Sequence, residues 1–156
     1  MTLSIGDKAP DFTALTDSDG KITLSEFEGK PVVLYFYPKD DTPGCTKEAC
    51  AFRDDYSEYQ DMGAVILGVS KDSPSKHDKF KSKYDLPFTL ISDEDGAICE
   101  AYGTWVEKKM YGRTYMGIQR ATFLIDSEGK IAKIWPKVKV KEHNDEVKAA
   151  ISALKT

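Results

Sequence analysis

The chain has 156 residues, and its 22 lysines and arginines against 26 aspartates and glutamates give a net charge of −4. This length fits about one domain, and 40% hydrophobic residues are enough for an ordinary core, so global disorder is excluded. The acidic balance argues against nucleic-acid binding, no apolar run approaches the ~20 residues that cross a bilayer, and no targeting segment is visible. We therefore expect a cytoplasmic protein without nucleic-acid or membrane partners.

The N-terminal region predicts a β-hairpin. Residues 12–15 and 21–24 are short β-like runs on either side of Asp17-Ser18-Asp19-Gly20, which is a turn signal. Ser25 then suits the N-cap of a short turn that ends near Gly29.

A central strand and a long helix follow. Residues 31–37, Pro-Val-Val-Leu-Tyr-Phe-Tyr, form the continuous apolar run expected of a strand covered on both faces. After a polar loop at residues 38–42, Thr42 and Pro43 suit the N-cap and the first position of a helix. Gly63 ends this helix, whose apolar face recurs at spacings of three and four: Ala49, Phe52, Tyr56, Tyr59 and Met62.

The rest of the chain alternates short elements. We predict strands at 64–70 and 88–92, a charged and exposed helix at 73–84, a short helix at 95–102, and a hairpin formed by 121–126 and 130–135. A closing helix at 142–154 has an apolar inner face of Val147, Ala150, Ile151 and Leu154. This order predicts an α/β, thioredoxin-like fold in a single domain spanning 1–156, with a central mixed sheet flanked by helices and an N-terminal β-hairpin.

Three cysteines, Cys45, Cys50 and Cys99, are too few for a secreted disulfide scaffold. In a reducing compartment a cysteine pair is catalytic or metal-binding more often than structural. No C-x-x-C spacing is present, and His77 and His143 lie in strongly polar sequence surroundings, so we expect no metal site.

Cys45 occupies a position suited to a nucleophile. With Thr42 as N-cap it is the third residue of the helix, where free N–H groups and the positive end of the helix dipole face the thiol. A free thiol has a pKa of about 8.5, and a helix N-terminus with a nearby cation lowers the pKa of a thiol. Gly44 favours close approach by a ligand. The alternative is that Cys45 is a small buried apolar residue.

Cys50 lies five residues further along the same helix. Five helical residues place the two Cα atoms roughly 8.6 Å apart, whereas a disulfide needs Cα atoms within ~7 Å. The spacing therefore predicts that Cys45 and Cys50 bond only after the first helical turns unwind. Alternatively, Cys50 simply faces the core, near the apolar stripe.

Several motifs resemble one family. Residues 38–45 fit P-x-x-x-T-x-x-C, the active-site pattern of the peroxiredoxins, and residues 44–50 extend it to G-C-T-x-E-A-C. The extension is similar to the peroxiredoxin Q or bacterioferritin comigratory protein subgroup. The resemblance spans nearly the whole chain and includes residues 6–12, 90–93 and 120–126.

The resemblance implies a thiol peroxidase that reduces hydrogen peroxide and organic hydroperoxides without a cofactor or metal. Cys45 matches the peroxidatic cysteine, which attacks one peroxide oxygen and becomes a sulfenic acid. Cys50 matches the resolving cysteine, which condenses with it to an intramolecular disulfide. A thioredoxin-type protein then reduces that disulfide, and one chain suffices, so we expect a monomer.

The same resemblance assigns roles around the thiol. Thr42 resembles the residue whose hydroxyl bonds the peroxide and the thiolate, and Pro38 resembles the residue that shields the pocket. Arg120 matches the arginine that supports the thiolate and polarises the peroxide, and Glu48 matches a position that can orient this arginine. Cys99 is expected to be a half-buried helix residue.

Two other functions fit less well. A non-catalytic redox-sensing or metal-binding module would need more ligands, and a disulfide oxidoreductase would need C-x-x-C at the helix start. The remaining large aromatic residues are expected to pack in the core or at its rim: Trp105, Tyr111, Tyr115 and Trp135.

Overall fold

A computed structural model describes residues 3–18 and 20–154; Asp19 of the predicted turn lies outside the described residues. The strands are β1 Thr13–Thr16, β2 Lys21–Thr23, β3 Val32–Phe36, β4 Val65–Ser70, β5 Thr89–Ser92, β6 Trp105–Met110, β7 Arg113–Ile118, β8 Ala121–Ile125 and β9 Ile131–Trp135. The α-helices are α1 Pro43–Asp54, α2 Tyr56–Asp61, α3 Pro74–Tyr84, α4 Ala97–Ala101 and α5 His143–Leu154.

Seven strands form one sheet in the order β2-β1-β5-β4-β3-β8-β9. Strand β3 pairs in parallel with β4 and antiparallel with β8, so the sheet is mixed, as predicted. The predicted N-terminal hairpin is present as β1 and β2. No helix among the described residues has the length and apolar character of a membrane span.

Strand β3 lies at the centre of the core and is buried along its whole length. Because side chains alternate along a strand, Val33 and Tyr35 face one side of the sheet while Leu34 and Phe36 face the other. Residues of α1, α2, α3 and α5 cover the first side, and residues of α4 cover the second. The helices therefore flank the sheet, and α1 starts beside the end of β3.

The predicted single helix as far as Gly63 is wrong, because the chain turns at Asp55 and separates α1 from α2. The Asp55 carboxylate accepts hydrogen bonds from Asn144 and from Lys148 Nζ, the latter at 2.9 Å. This attachment to α5 is a tertiary contact, and the apolar periodicity across the break gives no sign of it.

The hairpin of β6 and β7 is absent from the predictions. Its turn at Tyr111 and Gly112 has positive φ angles of 52° and 75°, and a dipeptide with two positive φ values is typical of a tight hairpin. Tyr111 is 97% exposed and Tyr115 is 43% exposed, so neither packs in the core, whereas Trp105 is half-buried.

Several predictions of exposure are also wrong. Helix α3 is not wholly exposed, because two of its own residues, His77 and Phe80, are buried. His143 is likewise buried despite its polar neighbours in sequence, and Leu154 is exposed at the end of α5. The short turn after β2 is a 3-10 helix at Leu24–Phe27 whose N-cap is Thr23 rather than Ser25.

Candidate active site

Cys45 is the third residue of α1, as predicted, and its side chain is buried, with 1% exposed. Thr42 is the N-cap residue with extended backbone, and its carbonyl accepts the Thr46 N–H at 2.8 Å. Helix α1 begins a few residues after β3, at the edge of the sheet where ligands bind in open α/β folds. Local sequence therefore brings the thiol to a helix N-terminus, and β3 fixes where that terminus lies.

Arg120 joins Cys45 to Glu48. Its Nη2 donates to Cys45 Sγ at 3.2 Å and its Nη1 donates to Glu48 Oε1 at 2.7 Å. Arg120 lies between β7 and β8, and the Val138 N–H donates to its backbone carbonyl at 3.0 Å. Gly44 makes room for the guanidinium, because a Cβ there would lie 3.0 Å from Nη2.

Glu48 is a buried acid with one unpartnered oxygen. Its side chain is 2% exposed, and among the described residues its Oε2 has no hydrogen-bond partner. Burial raises the pKa of Glu48 to about 7, although the charge and hydrogen bond of Arg120 lower it. The hydroxyl of Tyr35 is also buried and unpartnered, and burial followed by the charge of Glu48 raises the pKa of Tyr35 well above its usual value. Two buried side chains of the site, Glu48 and Tyr35, are therefore acids whose ionised forms are disfavoured by burial.

Thr42 and Pro38 both belong to the loop between β3 and α1, and Thr42 is half-buried. The Thr42 hydroxyl donates to the Lys39 carbonyl at 2.9 Å, which leaves its oxygen available as an acceptor. Pro38 is exposed and follows the last buried residues after β3. A ligand O–H that reaches Thr42 can therefore donate to the threonine oxygen.

The three cysteines are free thiols in different surroundings. Cys50 is half-buried on the same unbroken helix as Cys45, so the geometry that prevents direct bonding is present. Cys99 is fully buried rather than half-buried, because its backbone N–H donates to Asp93 at 2.8 Å and α4 packs against the sheet. Burial and the neighbouring Asp93 raise the pKa of the Cys99 thiol well above its usual value.

Lys108 is a nearby cation that the sequence interpretation missed. It is half-buried on β6, and burial followed by the charge of Arg120 lowers its pKa, while the charge of Cys45 raises it. Lys108 comes near Cys45 because it belongs to the hairpin of β6 and β7, and that hairpin was not predicted. The sequence therefore contained no signal that placed Lys108 near the thiol.

One group of described residues has the composition of a metal site. The ligand atoms of Asp40, Asp72 and His77 all lie within 4.8 Å of one another. Asp40 Oδ2 and His77 Nδ1 are only 2.6 Å apart, however, which is a hydrogen-bond distance. Two ligands at ~2.0–2.1 Å from one tetrahedral ion would be farther apart than this. As arranged, these groups bond to each other instead of surrounding an ion.

A cysteine at the start of α1 paired with a half-buried arginine, on a thioredoxin-like sheet, defines a thiol-based oxidoreductase. Residues 5–134 match the AhpC/TSA family. A putative peroxiredoxin bcp of Coxiella burnetii is 56% identical over 94% of this chain and 97% of its own length. Peroxiredoxin Bcp of Bacillus subtilis is 52% identical over 99% of this chain and 97% of its own length.

Solved structures agree with these sequence relatives. Peroxiredoxin Q of Xanthomonas campestris superposes with a TM-score of 0.89 at 43% identity, covering 93% of this chain and 92% of that one. A mutant of PrxQ from Xylella fastidiosa gives a TM-score of 0.94 at 36% identity, covering 100% and 99%. The chain therefore belongs to the AhpC/TSA family, within its Bcp and peroxiredoxin Q group of thiol peroxidases.

Proposed function

We propose that this thiol peroxidase reduces hydrogen peroxide and organic hydroperoxides with Cys45 as the attacking residue. The observation that carries the proposal is the guanidinium of Arg120, which bonds Cys45 Sγ at 3.2 Å beside the N-terminus of α1. The range of substrates is supported by a related structure, since the bacterioferritin comigratory protein of Xanthomonas campestris is described as having alkyl peroxide reduction activity.

In the first step the Cys45 thiolate attacks one peroxide oxygen and the O–O bond breaks. Sulfur is oxidised by two electrons to a sulfenic acid, and the other oxygen leaves as an alcohol, or as water from hydrogen peroxide, once it has gained a proton. Arg120 and the free N–H groups at the start of α1 stabilise the negative charge that develops on the leaving oxygen. We assign Thr42 to bind the peroxide through its hydroxyl oxygen and Pro38 to shield the pocket entrance.

In the second step Cys50 is the resolving residue. Its thiol attacks the sulfenic sulfur, water leaves, and a disulfide joins Cys45 to Cys50. Because α1 is continuous from Pro43 to Asp54, its first turns must unwind for this bond to form. A thioredoxin-type protein then returns the two thiols by disulfide exchange, which transfers two electrons to this chain.

Both reacting cysteines belong to one helix, which supports a single domain acting as a monomer. The same arrangement needs no cofactor. A reducing compartment such as the cytoplasm would keep the thiols available between cycles.

Single cysteine substitutions test this assignment. With peroxide, thioredoxin and its reductase, Cys45→Ser is expected to abolish turnover. Cys50→Ser is expected to react with one equivalent of peroxide and accumulate a sulfenic acid that a dimedone probe traps. Cys99→Ser is the matched control, and it should keep turnover within about twofold and form the Cys45–Cys50 disulfide seen by mass spectrometry. Full turnover in Cys45→Ser would refute the attacking role, and a Cys45–Cys99 linkage would refute the resolving role of Cys50.

A further inference from the structure

The loop that leads into α1 is held by a buried aspartate. The Asp40 carboxylate accepts the Tyr37 hydroxyl at 2.6 Å through one oxygen and approaches His77 Nδ1 at 2.6 Å through the other. Its backbone N–H donates to Asp72 Oδ2 at 2.8 Å. These contacts connect the loop at residues 38–42 to α3 and to the end of β4.

Asp41, the next residue, joins the same loop to α3 at the protein surface. Asp41, at a left-handed φ of 58°, accepts hydrogen bonds from Lys83 Nζ at 2.9 Å and from the Tyr84 hydroxyl at 2.8 Å. Helix α3 thus holds the loop at two places, one buried and one exposed. The exposed contact is solvated and contributes little, whereas removing one partner of the buried pair leaves the other partner buried without its hydrogen bond.

The partners of the His77 ring suit a ring that donates from both nitrogens. Nε2 lies 2.9 Å from the carbonyl oxygen of Ile91, which only accepts, so Nε2 carries a hydrogen. Asp40 Oδ1 accepts the Tyr37 hydroxyl and Asp40 Oδ2 faces Nδ1, so an ionised Asp40 accepts a hydrogen from Nδ1 as well. His77 is fully buried, with 0% exposed, and this pattern corresponds to an imidazolium paired with a carboxylate.

The charges around the ring agree with that state. The groups that act on His77 are Asp40 from the loop, Asp72 after β4 and the Ile91 carbonyl of β5. Burial lowers the pKa of His77, but Asp40, the Ile91 carbonyl and the charge of Asp72 together raise the pKa above the usual 6.5. Among the described residues, neither carboxylate forms an ion pair with a lysine or arginine that would compete for it.

We propose that His77 is a positioning residue of the peroxidase, which as an imidazolium paired with Asp40 anchors residues 38–42 and confines the unwinding of α1 to the residues beyond Thr42. The proposal rests on the function proposed above. While the anchor holds, Pro38 and Thr42 stay in place as Cys45 moves toward Cys50, and α1 re-forms quickly after reduction. When the anchor is lost, the unwound form becomes more populated at the expense of the form that reacts with peroxide.

The sign of the pH effect follows from the raised pKa. The stabilisation that His77 provides is complete below its unfolded pKa of about 6.5, and it is lost as pH rises through the higher folded pKa. Alkaline solution should therefore release the anchor, and acid solution down to the unfolded pKa should strengthen it.

The first experiment uses the unmodified protein. ¹⁵N NMR of the two imidazoles at pH 7 should show both nitrogens of His77 protonated. His143, whose pKa burial lowers, is the internal reference and should be neutral in the same spectrum. A neutral His77 ring at pH 7 would overturn the proposal whatever any variant does.

The second experiment measures unwinding directly. In His77→Gln, amide exchange protection of residues 46–50 should fall about tenfold, equivalent to ~1.4 kcal/mol, and disulfide formation after peroxide oxidation should accelerate by a similar factor. Wild-type protection should decrease as pH rises through the His77 titration, whereas in His77→Gln only the decrease that comes from Glu48, which lies in the same helix, should remain. Asp40→Asn should behave like His77→Gln and provides the same test if the first variant does not fold.

Lys83→Met is the matched control, because it weakens only the exposed contact to Asp41 and should change protection less than twofold. Unchanged protection and unchanged disulfide formation in both His77→Gln and Asp40→Asn would overturn the anchor. That result would leave the peroxidase assignment intact if wild type and both variants turn over peroxide. Failure of the peroxidase assignment itself would appear in a different result, namely that Cys45→Ser retains turnover.

Discussion

Replacing Arg120 by methionine tests the polar centre of the site most directly. Arg120→Met keeps a long apolar side chain but removes the donors that lie 3.2 Å from Cys45 Sγ and 2.7 Å from Glu48 Oε1. A hydrogen bond to a charged group contributes about 1.5–3 kcal/mol. At 1.36 kcal/mol for each factor of ten, losing this stabilisation of the reacting thiolate should slow the peroxide step by about 10- to 150-fold.

The assay separates this step from resolution and recycling. Reduced protein is mixed with hydrogen peroxide in a stopped-flow or quench instrument, and Cys45 oxidation is followed by thiol alkylation and mass spectrometry at several peroxide concentrations. Lys109→Met, an exposed substitution on β6 that removes the same charge, is the control and should retain the wild-type rate within about twofold. A second-order rate constant for Arg120→Met within threefold of wild type would refute the role given to the guanidinium.

Two further predictions concern groups that contact Arg120. Burial raises the pKa of Glu48 from 4.5 to about 7, so its contribution to stability is complete below pH 4.5 and is lost as pH rises through 7. A shift of this size corresponds to about 3 kcal/mol of unfolding free energy. Measured by urea unfolding, Glu48→Gln should therefore lose less stability than wild type between pH 5 and pH 8. Equal losses of stability in the two proteins would contradict this prediction. Gly44→Ala places a Cβ 3.0 Å from Arg120 Nη2 and should slow the peroxide step several-fold despite the better helix propensity of alanine. A faster or unchanged step, measured in the same quench assay, would show that the guanidinium needs no such space.

Features that depend on neighbours in sequence were predictable. Thr42 and Pro43 start α1 where expected, so Cys45 is its third residue, and the spacing to Cys50 follows from helix geometry. The mixed sheet was also predicted, because uninterrupted apolar runs indicate strands buried on both faces.

Features that depend on packing were not predictable in the same way. The break at Asp55 follows from contacts to α5, and no local rule ends a helix within a continuing apolar periodicity. The hairpin of β6 and β7 has mostly exposed residues, and their polar and apolar side chains show little alternation to detect. Its position determines which cation, Lys108, comes near the thiol.

The sequence alone determined the features on which the proposed chemistry depends: which thiol stands at a helix start, which second thiol is five residues away, and which family motif contains both. Tertiary structure decided the environment of that chemistry. Arg120 lies 75 residues from Cys45 and His77 lies 37 residues from Asp40, so only folding brings each pair within hydrogen-bond distance. The partners that the fold supplies matter because an ionised group in a low-dielectric interior is stable only beside an opposite charge or a hydrogen bond.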